Sequence, residues 1–75
     1  MENKILKIFR EVLKIEGDVK QDSLQYNETK NWDSLNHMKL VMLLEQEFDF
    51  MMDPDDILAM SDFQKALEIV LKNAK

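Results

Sequence analysis

The run from Asn31 to Phe48, N-W-D-S-L-N-H-M-K-L-V-M-L-L-E-Q-E-F, restricts the fold more than any other stretch of the chain. It opens on groups that suit a helix start and passes into the most apolar segment of the sequence. At about 100° per residue, Leu40, Leu44, Phe48, Val41 and Met38 form a broad core arc. Leu35, Met42 and Leu43 fall on or near the opposite side, among Asn36, Lys39, Gln46 and Glu47. A helix apolar nearly all round is either central or has an exposed face that meets something. A chain of 75 residues cannot surround it completely. The expectation is a partly exposed apolar strip of Leu35, Met42 and Leu43 beside Ser34, and strips of this kind tend to mark interaction sites.

The remaining elements are read around that helix. A first helix is predicted from Glu2 to Glu16, with Ile5, Leu6, Ile8, Phe9, Val12, Leu13 and Ile15 on one half of the wheel. Gly17 follows as its expected cap, because glycine takes the left-handed conformation at little cost. Residues 17 to 32 are mostly polar and aperiodic, and Val19, Leu24, Tyr26 and Trp32 are the apolar points that would pin this loop to the core. A single turn near Asp22 to Leu24 is compatible with the pattern. Asp33 or Ser34 caps the central helix, since either side chain accepts from a free N–H of the first turn.

Asp53-Pro54 opens a short third helix that ends by Met60, with Asp55 and Asp56 complementing its dipole. A last helix is predicted from Ser61, with Gln64 at the capping-box spacing. Phe63, Ala66, Leu67, Val70 and Leu71 make its buried stripe, and Lys72 and Lys75 sit at its C-terminal end. The fold class is therefore all-α, a small four-helix bundle of three main helices and one short one, forming one domain over residues 1–75.

A hydrophobic content of 45% supports a packed core, and one glycine and one proline leave few breaks for a hairpin-rich fold. With no cysteine, disulfides and thiolate metal sites are excluded. The net charge of −5 argues against nucleic-acid binding and suits basic protein partners. No stretch approaches the roughly 20 apolar residues of a membrane span, and the early lysines lie in an amphipathic pattern, so a cytoplasmic location is the default expectation.

D-S-L at 33–35, followed by L-V-M-L-L-E-Q-E-F at 40–48, resembles the acyl carrier protein family, which includes peptidyl and D-alanyl carriers. The short acidic helix at 53–60 and M-S-D-F-Q-K-A-L-E-I-V at 60–70 are also similar, so the resemblance spans the chain in length and element order. It implies a helical bundle of acyl-carrier type that works as a monomer. It also implies 4′-phosphopantetheine, derived from coenzyme A, attached to Ser34 through a phosphodiester. The thiol of that arm would carry an acyl or aminoacyl group as a thioester, in fatty acid, polyketide or a related specialised biosynthesis.

The partners implied are a phosphopantetheinyl transferase, which uses magnesium, and the enzymes that load and accept the cargo. Asp33 would orient the transferase and its metal, while the carrier itself would be no enzyme. Leu35, Asn36, Lys39, Met42 and Leu43 make up the implied partner-binding face. The sequence departs from the fatty-acid-synthesis pattern. Asn31 and Trp32 precede Asp33 where G-x is common, and Asn36 and Lys39 replace acidic positions, which dilutes the anionic face. The W-D-S-L form resembles free-standing carriers of specialised pathways.

Other readings are weaker on chemical grounds. Asp33, Ser34 and His37 do not make a triad, because neighbours at one helix end cannot set the histidine between the other two or supply an oxyanion hole. His37 is instead expected to be a surface histidine, and Lys39 a solvated charge. Asp53, Asp55 and Asp56 do not open a calcium loop, since Leu58 and Gln64 stand where glycine and glutamate are needed. No metal site is expected. Trp32 is expected to pack the loop onto the core. The alternative function is an unmodified helical adaptor that binds a protein partner through Leu35, Met42 and Leu43.

Overall fold

Helix α1 (Glu2–Leu13) begins the computed structural model, which describes residues 2–17 and 23–73. Its apolar period buries Ile5, Ile8, Phe9 and Leu13, with Leu6, Val12 and Ile15 partly covered. The helix stops three residues before the predicted end, and its cap is not Gly17. Lys14 takes the left-handed conformation (φ 56°), and the Ile15 N–H donates to the Arg10 carbonyl at 3.0 Å. This is a Schellman closure, which satisfies an end carbonyl and turns Ile15 back onto the core. Gly17 is also left-handed (φ 76°) but lies beyond the helix, in open space. A lysine pays a steric penalty there that glycine avoids. Lys14→Gly is therefore expected to raise unfolding free energy by about 0.5 kcal/mol, after glycine's extra backbone entropy is discounted. Urea unfolding checks this.

Helix α2 (Ser34–Phe48) buries Leu40, Val41 and Leu44 and packs chiefly on α1. It ends as α1 does, with a left-handed residue, Asp49 (φ 54°), whose N–H reaches the Glu45 carbonyl. The Glu45 carboxylate then accepts from the Met52 N–H at 2.8 Å, which starts the turn toward α3. Met38, predicted in the core arc, is nearly half exposed. Leu43, on the partly exposed strip, is partly buried against the core. Met38 is left open because α2 is covered chiefly by α1.

Short helix α3 (Pro54–Ala59) has proline in its first turn and no fully buried residue; only Ile57 rests on the core. Its Asp56 is paired with Lys72 of helix α4 (Phe63–Asn73) at 3.0 Å, so Lys72 serves as a strap between the helices as well as a terminal charge. Helix α4 starts two residues later than predicted. Asp62, rather than Ser61, caps it, accepting from the Lys65 N–H at 2.7 Å. The buried stripe of α4 is Phe63, Ala66, Leu67, Ile69 and Val70, whereas Leu71, predicted inside, is exposed.

Backbone hydrogen bonds tie residues 24–26 of the loop before α2 to the start of α4. Gln25 and Asp62 form an isolated antiparallel bridge, with the Tyr26 N–H on the Ser61 carbonyl and the Phe63 N–H on the Leu24 carbonyl. Asn27 and Asn31 take the left-handed turns, φ 65° and 72°, which asparagine tolerates. Leu24 and Trp32 are buried and Tyr26 is half-buried. Val19, Asp22 and Lys75, which also figured in the sequence reading, lie outside the described residues. Phe9 joins the loop to the bundle: it meets Trp32 edge-on at 5.1 Å and Phe63 edge-on at 5.2 Å. Such aromatic pairs each add about 0.5–1.5 kcal/mol beyond burial. The whole is a small all-α bundle, with no strand among the described residues.

Candidate functional site

Ser34 is the first residue of α2 and is exposed. Its position depends on Asp33, whose extended backbone (φ −111°, ψ −175°) leaves the carboxylate to accept from the Asn36 N–H at 2.9 Å. The N–H groups of Ser34 and Leu35 then face outward at the positive end of the helix, with no carbonyl a turn earlier to bind. An anion tethered to Ser34 Oγ would sit against them. Replacing Asp33 with alanine is expected to cost about 1 kcal/mol, the usual value of such a cap. Asp33→Asn keeps the acceptor and is expected to stay within a few tenths of wild type. Chemical denaturation of both variants checks the pair, and equal losses would mean that charge rather than capping stabilises this end.

A relay of side-chain amides fixes the approach to Ser34. Asn31 Nδ2 donates to the Leu13 carbonyl at 2.8 Å, and Asn36 Nδ2 donates to the Asn31 carbonyl at 2.7 Å. The end of α1 and the mouth of α2 are thereby set relative to each other. Asn36 was a candidate partner contact; its amide is instead committed to this relay and is half-buried.

His37 corrects a second expectation. It is half-buried, not a free surface histidine. Trp32 Nε1–H donates to His37 Nδ1 at 2.9 Å, and His37 Nε2 meets the Ile57 carbonyl at 2.8 Å. An indole N–H only donates and a carbonyl only accepts, so the partners assign the neutral form with its proton on Nε2. The two ring planes are 20° apart, with centroids 6.1 Å from each other. Tyr26 packs edge-on against His37 at 5.2 Å.

Ser34 lies on the rim of a largely apolar pocket of about 260 Å³. His37 and Met38 of α2 line one side, Ile57 and Leu58 of α3 the other, and Tyr26 and Met60 close it. The sequence reading named Tyr26, His37 and Met38 but placed none of them in a pocket with Ile57 and Leu58. Their usable signal was spacing: His37 is one helical turn from Ser34, so the two share a face.

The side chains of the proposed strip differ in exposure and in what they line. Leu35 (68% exposed) stands next to Ser34, and Met38 borders the pocket. Met42 (55% exposed), Leu43 and Lys39 line a separate shallow groove of about 220 Å³ with Val12 and Gln46, between α2 and α1. Leu35 and Met42 are two helical turns apart on α2 and both are exposed, while Leu43 is partly buried against the core.

No helix among the described residues is long and apolar enough to cross a membrane. The fold and the site define a small all-α bundle that presents a serine hydroxyl at a helix mouth, on the edge of an apolar pocket. No family model matches the chain, and no curated protein matches it.

Proposed function

We propose that the protein is a carrier of acyl or aminoacyl intermediates, held as thioesters on 4′-phosphopantetheine attached to Ser34. The observation that carries this reading is an exposed serine at the first position of α2, set within D-S-L and opening onto an apolar pocket. The residues suit the group. Ser34 Oγ is accessible, the outward N–H groups of the first turn suit a phosphodiester, and the apolar pocket suits the cargo end rather than the phosphate.

In the attachment, Ser34 Oγ bonds to the phosphorus next to the pantetheine of coenzyme A. The diphosphate linkage breaks, adenosine bisphosphate leaves, and the hydroxyl proton passes to the transferase. The chain's own residues position rather than catalyse: Asp33 holds the helix mouth, and Asn31 and Asn36 fix the loop that presents it. Asp33 also offers a carboxylate edge to the transferase and its magnesium. A tethered arm raises the effective concentration of its cargo at each partner enzyme. The cargo belongs to fatty acid, polyketide or a related specialised synthesis in a soluble compartment, and the chain acts as a monomer.

The test is incubation with coenzyme A, magnesium and a broad-specificity phosphopantetheinyl transferase, read by intact mass. One added arm supports the carrier. A chain left unmodified by several such transferases would instead support the adaptor reading, which the exposed Leu35 and Met42 side chains favour.

A further inference from the structure

His37 joins the best-anchored side chain of the loop to the least-anchored helix. Trp32 is 1% exposed and wedged against Phe9, so its Nε1–H is a fixed point. Helix α3 has six residues and none fully buried. Met52 and Met60, on either side of it, are buried. Between them it is held by Ile57 on the core, by the Asp56–Lys72 pair, and by the bond between the Ile57 carbonyl and His37 Nε2. The ion pair is weakened by its exposed lysine. Ile57 and Leu58 are also one wall of the pocket beside Ser34, and His37 stands in the opposite wall. The width of that pocket therefore depends on how α3 is held against α2, and His37 spans the gap.

We propose that His37 is a positioning residue that sets the width of the Ser34 pocket by tying α3, through Ile57, to the Trp32 anchor, and so limits the pocket to short apolar groups. A dry cavity of about 150 Å³ accepts a benzene ring, so about 260 Å³ matches a group of on the order of ten carbons at most. The proposal deepens the carrier reading and rests on it for the kind of group that enters. The strut itself does not depend on attachment at Ser34.

The test uses the unmodified chain and three variants, H37A, H37N and H37Q. A glutamine amide reaches where imidazole Nε2 sits, so it keeps the Ile57 end. An asparagine oxygen sits near imidazole Nδ1, so it keeps the Trp32 end and loses Ile57. Amide hydrogen exchange is measured for Ile57 and Leu58, with Phe9 and Val70 as reporters of the global fold. H37A and H37N are expected to exchange about tenfold faster or more at α3, with Phe9 and Val70 unchanged, and H37Q, which keeps the Ile57 end but loses the Trp32 end, is expected to fall between H37N and wild type.

Free dodecanoyl-pantetheine, whose chain exceeds the limit of about ten carbons, is then titrated, read at the Met38 and Met60 methyl resonances. Binding is expected to be several-fold tighter in H37A and H37N than in wild type, with H37Q between them, because α3 yields. Four results overturn the proposal: unchanged α3 exchange in H37A, loss of protection at Phe9 and Val70 to the same degree, no difference between H37N and H37Q, or equal dodecanoyl affinity in all four chains. If Ser34 resists every transferase while these differences appear, the carrier reading fails and the strut stands.

Discussion

Ser34→Ala is expected to abolish arm attachment completely while leaving the bundle intact. The wild-type chain gains one arm by intact mass and the variant gains none. The fold has little at stake in this hydroxyl. Ser34 is exposed, the cap is made by Asp33, and alanine is a good residue for the first turn of a helix. The stability change should stay within about 0.5 kcal/mol, as for surface positions without special contacts. Ser61 is an internal control because it also borders the pocket and is exposed. It precedes the cap of α4 instead of opening a helix, and its carbonyl holds the Tyr26 N–H. Ser61→Ala should therefore be modified as wild type is. An arm found on the Ser34→Ala chain would sink the assignment of the site. Failure of the wild-type chain with several transferases would sink the carrier itself.

The parts of this architecture that were legible in the sequence are those governed by local rules. Asp33 is a cap because a carboxylate one residue before an apolar run has a free N–H to bind, and the structure places it so. The face of α1 follows from its period, since Ile5, Ile8, Phe9 and Leu13 recur at helical spacing. The failures share a different cause: each depends on a partner distant in sequence. Lys14 ends α1 because Ile15 must reach the core, and that outweighs the ease of turning at Gly17.

Asp62 is the residue bridged to Gln25 of the loop, and from that position its carboxylate accepts from the Lys65 N–H and caps α4. Leu71 and Ile69 exchange places because the stripe of α4 is set by the side it turns to α1, not by its own period alone. His37 looked like a surface residue for the same reason. Nothing near it in sequence announces that the Ile57 carbonyl, twenty residues on, will stand 2.8 Å away. The serine and its cap were thus visible, whereas the pocket beside them was not. A pocket is a relation between α2 and α3, and neither segment encodes it alone.

Trp32→Ala is expected to unfold the chain or leave it barely folded at 25 °C. Trp32 is the largest fully buried side chain, and it is the point where loop, α1 and α2 meet. Removing a buried tryptophan costs about 3–5 kcal/mol. At roughly 0.05–0.15 kcal/mol per residue, a domain of this size has a total stability of the same order. The loss includes the edge-on contact with Phe9 and leaves His37 Nδ1 without its donor. Trp32→Phe divides these terms, because a phenyl ring keeps an aromatic edge near Phe9 and cannot donate to His37. Its expected cost is about 1–3 kcal/mol, the range for an unpaired buried polar group. Both variants remove the sole tryptophan, so far-UV circular dichroism in urea is the measurement. A Trp32→Ala chain that loses under about 1 kcal/mol would mean that the loop is not anchored through this side chain. The strut from Trp32 through His37 to α3 would then have no fixed end, and the pocket beside Ser34 would need another account of its width.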